Sequence, residues 1–339
     1  MSLLQAEHIM NSDPGHARLE HAAEYNHGSA FIHGQYCSID AAAIPIVDCG
    51  FMHADAAYDV VSASKGFIFR LEDHLDRFQT SCESFRLRNP YGRDETAEIL
   101  TNLVRLAGTR EAYIWWCVTR GAMPDADQRG NPDAYHNMFY AFVIPYLYIA
   151  GDEARNRGLD LAISREHIRI PARAVDPSAK NFHWMDMKLA LFEAHDQGRD
   201  SAVLCDEHGY LAESPGANIF LIKDGVLYTP DSGCLEGITR KTTLELAAEI
   251  GLPARVEKVH ADQLRDADEA FITSTAGGIM PVNSVDGAVL DAVPGPGELT
   301  TELHNLYWGK RWDGWLGTPV NYTSNSAGFA ATLTNRGWN

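Results

Sequence analysis

The sequence predicts an α/β chain built as two domains with mixed sheets, an α+β arrangement. Three observations point there. The chain has 339 residues, about twice the roughly 100–200 residues of a usual domain. Hydrophobic residues make up 45% and charged residues 22%, the balance of a globular protein able to bury a core. Aromatic and β-branched strand-like runs alternate with helical periodicity throughout, and a turn-rich break at Gly151-Asp-Glu divides the chain.

Residues 1–28 are polar and read as a loose or helical extension. Phe31-Ile32 and Tyr36-Cys37 flank His33-Gly34-Gln35 and predict a hairpin. Strand signals continue through Ala57–Ser62 and Gly66–Arg70, with Lys65-Gly66 as the turn. The period then changes. Leu71, Leu75, Phe78, Cys82 and Phe85 fall at i, i+4, i+7, i+11 and i+14, one face of a helix. A second helix is expected over Asp94–Ala107, and an aromatic, β-branched strand over Glu111–Arg120. Residues 121–137 are rich in Pro, Asp and Gly and read as a long functional loop. A strand-like run from Met138 to Ala150 closes the first half.

The second half opens with a strand, Leu159–Ser164, and a loop to Asp176-Pro177. A helix is expected from near Lys180 to Asp196. Strands follow at Ser201–Cys205, Ala217–Ile222 and Val226–Thr229, with Lys223-Asp-Gly225 as a turn. Gly237-Ile-Thr239 opens a helix, with Thr239 expected as N-cap and Gly251 closing the helix. Glu269–Ser274 is a strand leading into Thr275-Ala-Gly-Gly278, and the tail from Thr318 reads as loosely packed. The expected domains are 1–28 (extension), 29–150, 151–317 and 318–339 (tail).

Charge narrows the function classes. A net charge of −18 is the opposite of the basic footprint of a nucleic-acid binder and disfavours anionic membranes. No run approaches the ~18–20 apolar residues of a membrane span, and the N-terminus lacks the basic start and apolar core of a signal peptide. The six cysteines are scattered without a C-x-x-C pair, so reduced thiols and a cytoplasmic setting are expected rather than a disulfide frame or zinc ribbon. The 14 histidines show no H-E-x-x-H spacing, and no metal site is expected.

Five features carry chemistry when taken in order. A lysine beside aromatic residues, as in Lys180-Asn-Phe, becomes nucleophilic if burial favours the neutral amine, and can then form a Schiff base with an aldehyde cofactor. Glu213 lies 33 residues on, at a strand end, with Asn218 opening the next strand. A carboxylate there can keep a pyridine nitrogen protonated, and a protonated ring is an electron sink. Gly237-Ile238-Thr239 at a helix start suits a phosphate, as does Thr275-Ala-Gly-Gly278. Arg77 in His74-Leu-Asp-Arg77 supplies a guanidinium clamp. Taken singly, each has a plainer use: an exposed helix-start lysine, a solvated turn glutamate, ordinary caps, turns and surface charges.

The ordered set resembles the fold-type IV pyridoxal-phosphate enzymes, and within them most closely the (R)-selective amine transaminases. The matching segments are Asp48-Cys-Gly-Phe-Met-His53-Ala-Asp, Tyr58-Asp-Val60, Arg70-Leu-Glu-Asp-His-Leu-Asp-Arg77, Asp176-Pro-Ser-Ala-Lys180-Asn-Phe-His-Trp184, Gly237-Ile-Thr-Arg-Lys241 and Thr275-Ala-Gly-Gly-Ile-Met-Pro281. The resemblance spans about residues 29 to 315. It implies a small N-terminal α/β domain, a larger C-terminal pseudo-barrel domain, pyridoxal 5'-phosphate as cofactor and a homodimer with a shared active site. It implies that Lys180 forms the Schiff base and shuttles protons, and that Glu213 pairs with the pyridine nitrogen. Arg77, Ile238, Thr239 and Thr275 would hold the phosphate, and Leu235 would pack on the ring. His53, Tyr58, Val60, Tyr113, Trp115, Trp184 and Ala276 would line the substrate pockets. The implied reaction is a ping-pong transfer of an amino group from an (R)-configured amine or D-amino acid to a keto acid or ketone. The alternatives within the fold are a branched-chain L-amino-acid aminotransferase and a lyase like aminodeoxychorismate lyase.

Three departures bear on specificity. Trp115 stands where the amine transaminases usually have an acidic residue and the branched-chain enzymes an arginine, which predicts an apolar, narrowed pocket. The loop after Gly121 lacks the usual carboxylate-binding arginine, leaving Arg129 or Arg120 as candidates. Glu213-Ser-Pro-Gly216 replaces a Glu-Gly-Ser-Gly corner, and Pro215 fixes φ there.

Overall fold

A computed structural model of the chain describes residues 1–122, 127–128, 130–290 and 295–323. By contact density it divides into two compact units. One comprises Met10–Leu147, Ala179–Phe182 and the chain from Gly314. The other comprises Met1–Ile9, Tyr148–Ser178 and His183–Asp313. A helix, α1 (Ala6–Ser12), lies in the N-terminal segment. Among the described residues no helix is long and apolar enough to cross a membrane.

The first unit is built on a seven-stranded sheet. Its first six strands are β1 (Ser29–Ile32), β2 (Gln35–Ser38), β3 (Ala56–Ser64), β4 (Phe67–Phe69), β5 (Ala112–Thr119) and β6 (Met138–Pro145). Two hairpin turns have positive φ at both central residues, His33–Gly34 and Lys65–Gly66, the twist that matches adjoining strands. In the long β3–β5 pair Val61 lies opposite Ile114 and Ala57 opposite Val118. That face enters a core with Phe31, Leu71, Leu75, Phe78, Leu103 and Trp116. Each fully buried large side chain there contributes roughly 1.5–3 kcal/mol. A short helix, α2 (Cys49–His53), is capped by the buried Asp48, whose Oδ1 accepts from Gly50 N at 2.7 Å. The stripe read from the sequence becomes α3 (Leu71–Ser84), with Leu71, Leu75, Phe78 and Cys82 buried. The second expected helix is α4 (Arg93–Ala107).

The second unit contains strands β7 (Leu159–Ile163), β8 (Ser201–Cys205), β9 (Leu211–Ser214), β10 (Ala217–Lys223), β11 (Val226–Thr229), β12 (Ala254–Val256), β13 (Glu269–Ser274), β14 (Gly278–Val285) and β15 (Ala288–Val289). Because β9 pairs with both β8 and β10, the run β10-β13-β14-β7-β8-β9 closes on itself. This is the expected pseudo-barrel, with parallel pairing at β7–β8 and β7–β14. Leu161, Ile163, Val203, Ile219, Leu221, Ile272 and Val282 form its core. The helices of this unit are α5 (Asp152–Arg157), α6 (Met185–Asp196), α7 (Ile238–Glu249), α8 (Ala261–Arg265) and α9 (Glu298–Trp312). The sequence patterns do not mark α9, because its buried face mixes Thr300, Thr301 and His304 with Leu303, Tyr307 and Trp308.

Two expectations need correction. The helix expected from Lys180 begins only at Met185, and residues 179–182 are not helical, with an isolated bridge at Asn181. The reason is a backbone partner: β3 pairs with β4 only at Ala63 and Ser64, and its open edge takes this segment instead. Tyr58 N donates to Lys180 O at 3.1 Å, and Ala57 bridges Asn181. The segment after Thr318 is not loose where it is described. Strand β16 (Gly317–Pro319) pairs with β4, Val320 is buried, and Tyr322 Oη donates to Thr109 O at 2.9 Å. All six cysteines are free thiols, and five of them are buried.

Candidate active site: two groups of side chains

The expected site residues fall into two groups, one in each unit. In the first unit, strand alternation separates two chemistries on β3. Tyr58 and Val60 point to one face, where Val60 lies opposite Trp115. There Trp115 stacks on Phe142 with centroids 5.1 Å apart, and lies 5.9 Å from both Tyr58 and Phe182. Tyr113 stands nearby, tilted against Phe142 at 6.4 Å; burial pushes its phenol above the ordinary tyrosine range. Lys180 Nζ sits 4.4 Å from the Tyr58 ring centroid, a cation–π distance. Lys180 N donates to Ser81 Oγ at 3.0 Å, which fixes the segment to α3.

Asp59 points to the opposite face and is fully buried. Its carboxylate accepts from Arg77 Nε at 2.8 Å and Arg77 Nη2 at 2.7 Å, and lies 2.8 Å from His74 Nδ1. Burial alone would raise the Asp59 pKa; the Arg77 charge and the His74 hydrogen bond outweigh it and hold the carboxyl well below its usual range. Burial holds His74 below the ordinary histidine range, against the pull of Asp59. The Arg77 guanidinium is thus oriented by a buried anion.

In the second unit, the register of β9, β10 and β13 aligns Glu213, Asn218 and Thr273 as cross-strand neighbours. Glu213 is buried. Its Oε1 accepts from Arg169 Nε at 2.8 Å and its Oε2 from Leu235 N at 3.3 Å. Arg169, also buried, donates from Nη1 to Asp186 Oδ2 at 2.6 Å. Asn218 Nδ2 donates to Leu235 O at 2.7 Å, so Leu235 is held from both sides. The turn Pro215–Gly216 joins β9 to β10, with Gly216 at φ 74°. Glycine supplies the positive φ of the second central position, and proline at the first is compatible with such a turn; Pro215 therefore suits the corner.

The helix start is shifted from the expectation. Gly237, not Thr239, is the N-cap of α7. A Cβ on Gly237 would lie 2.0 Å from Asn218 Oδ1, so only glycine fits where this turn passes Asn218. The cap supplies no side-chain acceptor, and Ile238 and Thr239 are buried in the first turn. Their N–H groups and the helix dipole suit an anion. Thr273 Oγ1 and Ser214 Oγ are buried with no hydrogen-bond partner among the described residues. A buried carboxylate, an uncapped helix start and orphaned hydroxyls in one unit fit the ring nitrogen and phosphate of pyridoxal phosphate.

The remaining expected residues have mixed placements. Thr275 and Ala276 follow β13 directly, with Ala276 buried. Trp184 packs near Gly216, whose added Cβ would lie 3.0 Å from the indole. His53 is exposed at the end of α2. Arg120 is committed elsewhere: it donates to both Asp55 oxygens at 3.0 Å, to Arg86 O at 2.9 Å and to Phe85 O at 2.7 Å. This corrects its candidacy as a carboxylate clamp. Arg129 lies outside the described residues. Sequence reading gave no role to Asp59, although it lies within the Tyr58-Asp-Val60 segment, and missed Arg169 and Asp186, which no local motif marks.

The Amino-transferase class IV family model matches residues 56–285. The branched-chain-amino-acid aminotransferase of Pseudomonas aeruginosa is 35% identical over 263 residues, covering 76% of this chain and 83% of the relative. That of Salmonella typhimurium is 31% identical over 265 residues, covering 75% and 84%. Among solved structures, the branched-chain amino acid aminotransferase of Thermobaculum terrenum in its PLP form superposes with a TM-score of 0.77 at 26% identity, covering 88% of this chain and 99% of that one. The Escherichia coli branched-chain amino acid aminotransferase gives 0.80 at 26% identity, covering 87% and 100%.

Proposed function

The chain belongs to the amino-transferase class IV family, whose cofactor is pyridoxal 5'-phosphate, and on that footing we propose that it moves an amino group from a donor with an apolar substituent to a keto acid. The observation that carries the apolar donor is the uncharged aromatic wall of Tyr58, Trp115, Phe142 and Phe182. Relatives named as branched-chain-amino-acid aminotransferases support a branched-chain L-amino acid as that donor. A second reading, an (R)-configured primary amine or D-amino acid, is supported by the Tyr58-Asp-Val60 pattern and by Trp115, which offers a carboxylate no charge.

In this proposal Lys180 Nζ would hold the cofactor through its aldehyde, and its amine would take up the proton of the donor carbon. In the second unit the N–H groups of Ile238 and Thr239, and Thr275, would hold the phosphate, and Glu213 would hold a proton on the ring nitrogen; Arg77 is the phosphate candidate of the first unit. When bound, the cofactor supplies the electron sink that labilises bonds at the donor carbon.

The test follows the visible spectrum of the holoenzyme on adding L-leucine, (R)-1-phenylethylamine and its (S) enantiomer in turn. Loss of the band with L-leucine assigns the branched-chain reading, and loss with the (R) amine alone the second. A band bleached only by acidic amino acids would overturn the apolar donor.

We further propose a homodimer in the cytoplasm. The exposed apolar stripe Met185, Leu189 and Phe192 on α6, and the exposed Ile46 and Phe51, support a covered surface. Sedimentation equilibrium is expected to give twice the 37.4 kDa chain mass, and a monomer that is fully active would sink the dimer.

A further inference from the structure

Asp186 has no role in the reading above, yet it is bound into the charge centre around Glu213. The arrangement is Asp186–Arg169–Glu213, with Arg169 Nη1 to Asp186 Oδ2 at 2.6 Å and Arg169 Nε to Glu213 Oε1 at 2.8 Å. All three side chains are shielded from water, at 15%, 4% and 5% exposure, so their charges are weakly screened. Asp186 lies in the first turn of α6 and accepts from Ile170 N at 2.7 Å and Met187 N at 2.9 Å.

Consider the pair without Asp186. Arg169 and Glu213 would cancel, and a buried neutral pair has little to offer a second cation. Protonating a pyridine nitrogen next to it would place a new positive charge near the Arg169 guanidinium. With Asp186 present, one guanidinium lies between two carboxylates, and one negative charge stays uncompensated. Burial works against the Arg169 charge, but Glu213 and Asp186 outweigh it and raise its proton affinity, so the cation stays in place. The Cys234 thiol also feels Glu213; burial first, then Glu213, pushes it up to about 12. It stays neutral and leaves the charge count unchanged.

We propose that Asp186 is a positioning residue that offsets Arg169, so that Glu213 keeps a net negative charge for a protonated cofactor ring nitrogen. The inference rests on the reading of Glu213 as the ring-nitrogen partner. Arg169 then has a steric duty, aiming the Glu213 carboxylate, and Asp186 an electrostatic one.

The experiment reads the ring nitrogen directly. Holoenzyme is loaded with pyridoxal phosphate labelled with nitrogen-15 in the ring, and the nitrogen shift is followed with pH. Asp186→Asn keeps the shape and an acceptor for Arg169 and removes the charge. It is expected to lower the ring-nitrogen titration midpoint by about one pH unit or more, while Asp186→Glu restores it. Glu213→Gln is the reference and should lower the midpoint further. If Glu213→Gln lowers it and Asp186→Asn leaves it at the wild-type value, the role of Asp186 is overturned. If Glu213→Gln itself leaves the nitrogen protonated, the underlying reading of Glu213 fails instead. Should Asp186→Asn fail to fold, Asp186→Ser, which leaves room for water at Arg169, gives the same comparison.

Discussion

Replacing Lys180 with alanine is expected to lower transamination at least about 10³-fold, because one side chain is assigned two duties. It supplies the nucleophilic amine, and it moves the proton at the donor carbon. Nothing else in its group can substitute: His74 is turned to Asp59 and held below the ordinary histidine range by burial, and Tyr58 presents its ring face to Nζ. The fold should survive, since the segment is held by backbone, through Lys180 N to Ser81 Oγ and Tyr58 N to Lys180 O. Single-turnover kinetics and thermal unfolding of the same preparation check both halves. A variant with near wild-type rate would remove Lys180 from the mechanism, whatever its cofactor content.

Glu213→Gln is expected to lower kcat/KM by about 10²–10³-fold, the range for losing one preorganised electrostatic partner. The amide keeps the volume and can still accept from Arg169 Nε, but it carries no charge to hold a proton on a ring nitrogen. Stability should change less than for most buried charge deletions, where leaving a partner unpaired costs about 3–5 kcal/mol. Asp186 still pairs with Arg169 at 2.6 Å, so the guanidinium is not abandoned. Comparing kcat/KM with the midpoint of denaturant unfolding separates the two. A large stability loss with an unchanged rate would make Glu213 a structural residue.

The helices legible in the sequence are those with a clean apolar stripe. Leu71, Leu75, Phe78 and Cys82 carry α3 because one face alone meets the sheet. Helix α9 escaped because its buried face includes two threonines and a histidine. The absence of helix at Lys180 was illegible for a different reason. Nothing local forbids a helix there; the open edge of β3, more than a hundred residues earlier, supplies the competing hydrogen bonds. At the helix start of α7, a local rule favouring threonine as cap lost to a close approach by Asn218, which only Gly237 tolerates.

The sequence by itself determined the fold class and the order of the candidate site residues. The ordered series Arg77, Lys180, Glu213, Gly237-Ile-Thr239 and Thr275 is a one-dimensional pattern, and the spacing of apolar side chains is read from the chain alone. Tertiary structure alone decided how the charges are held. Asp59 meets Arg77 across 18 positions, and Arg169 meets Glu213 across 44. Coulombic interaction depends on distance in space and on burial, and neither is written in the order of residues along the chain. The same holds for Arg120, an open candidate in sequence whose donors the fold commits to Asp55 and to two backbone carbonyls.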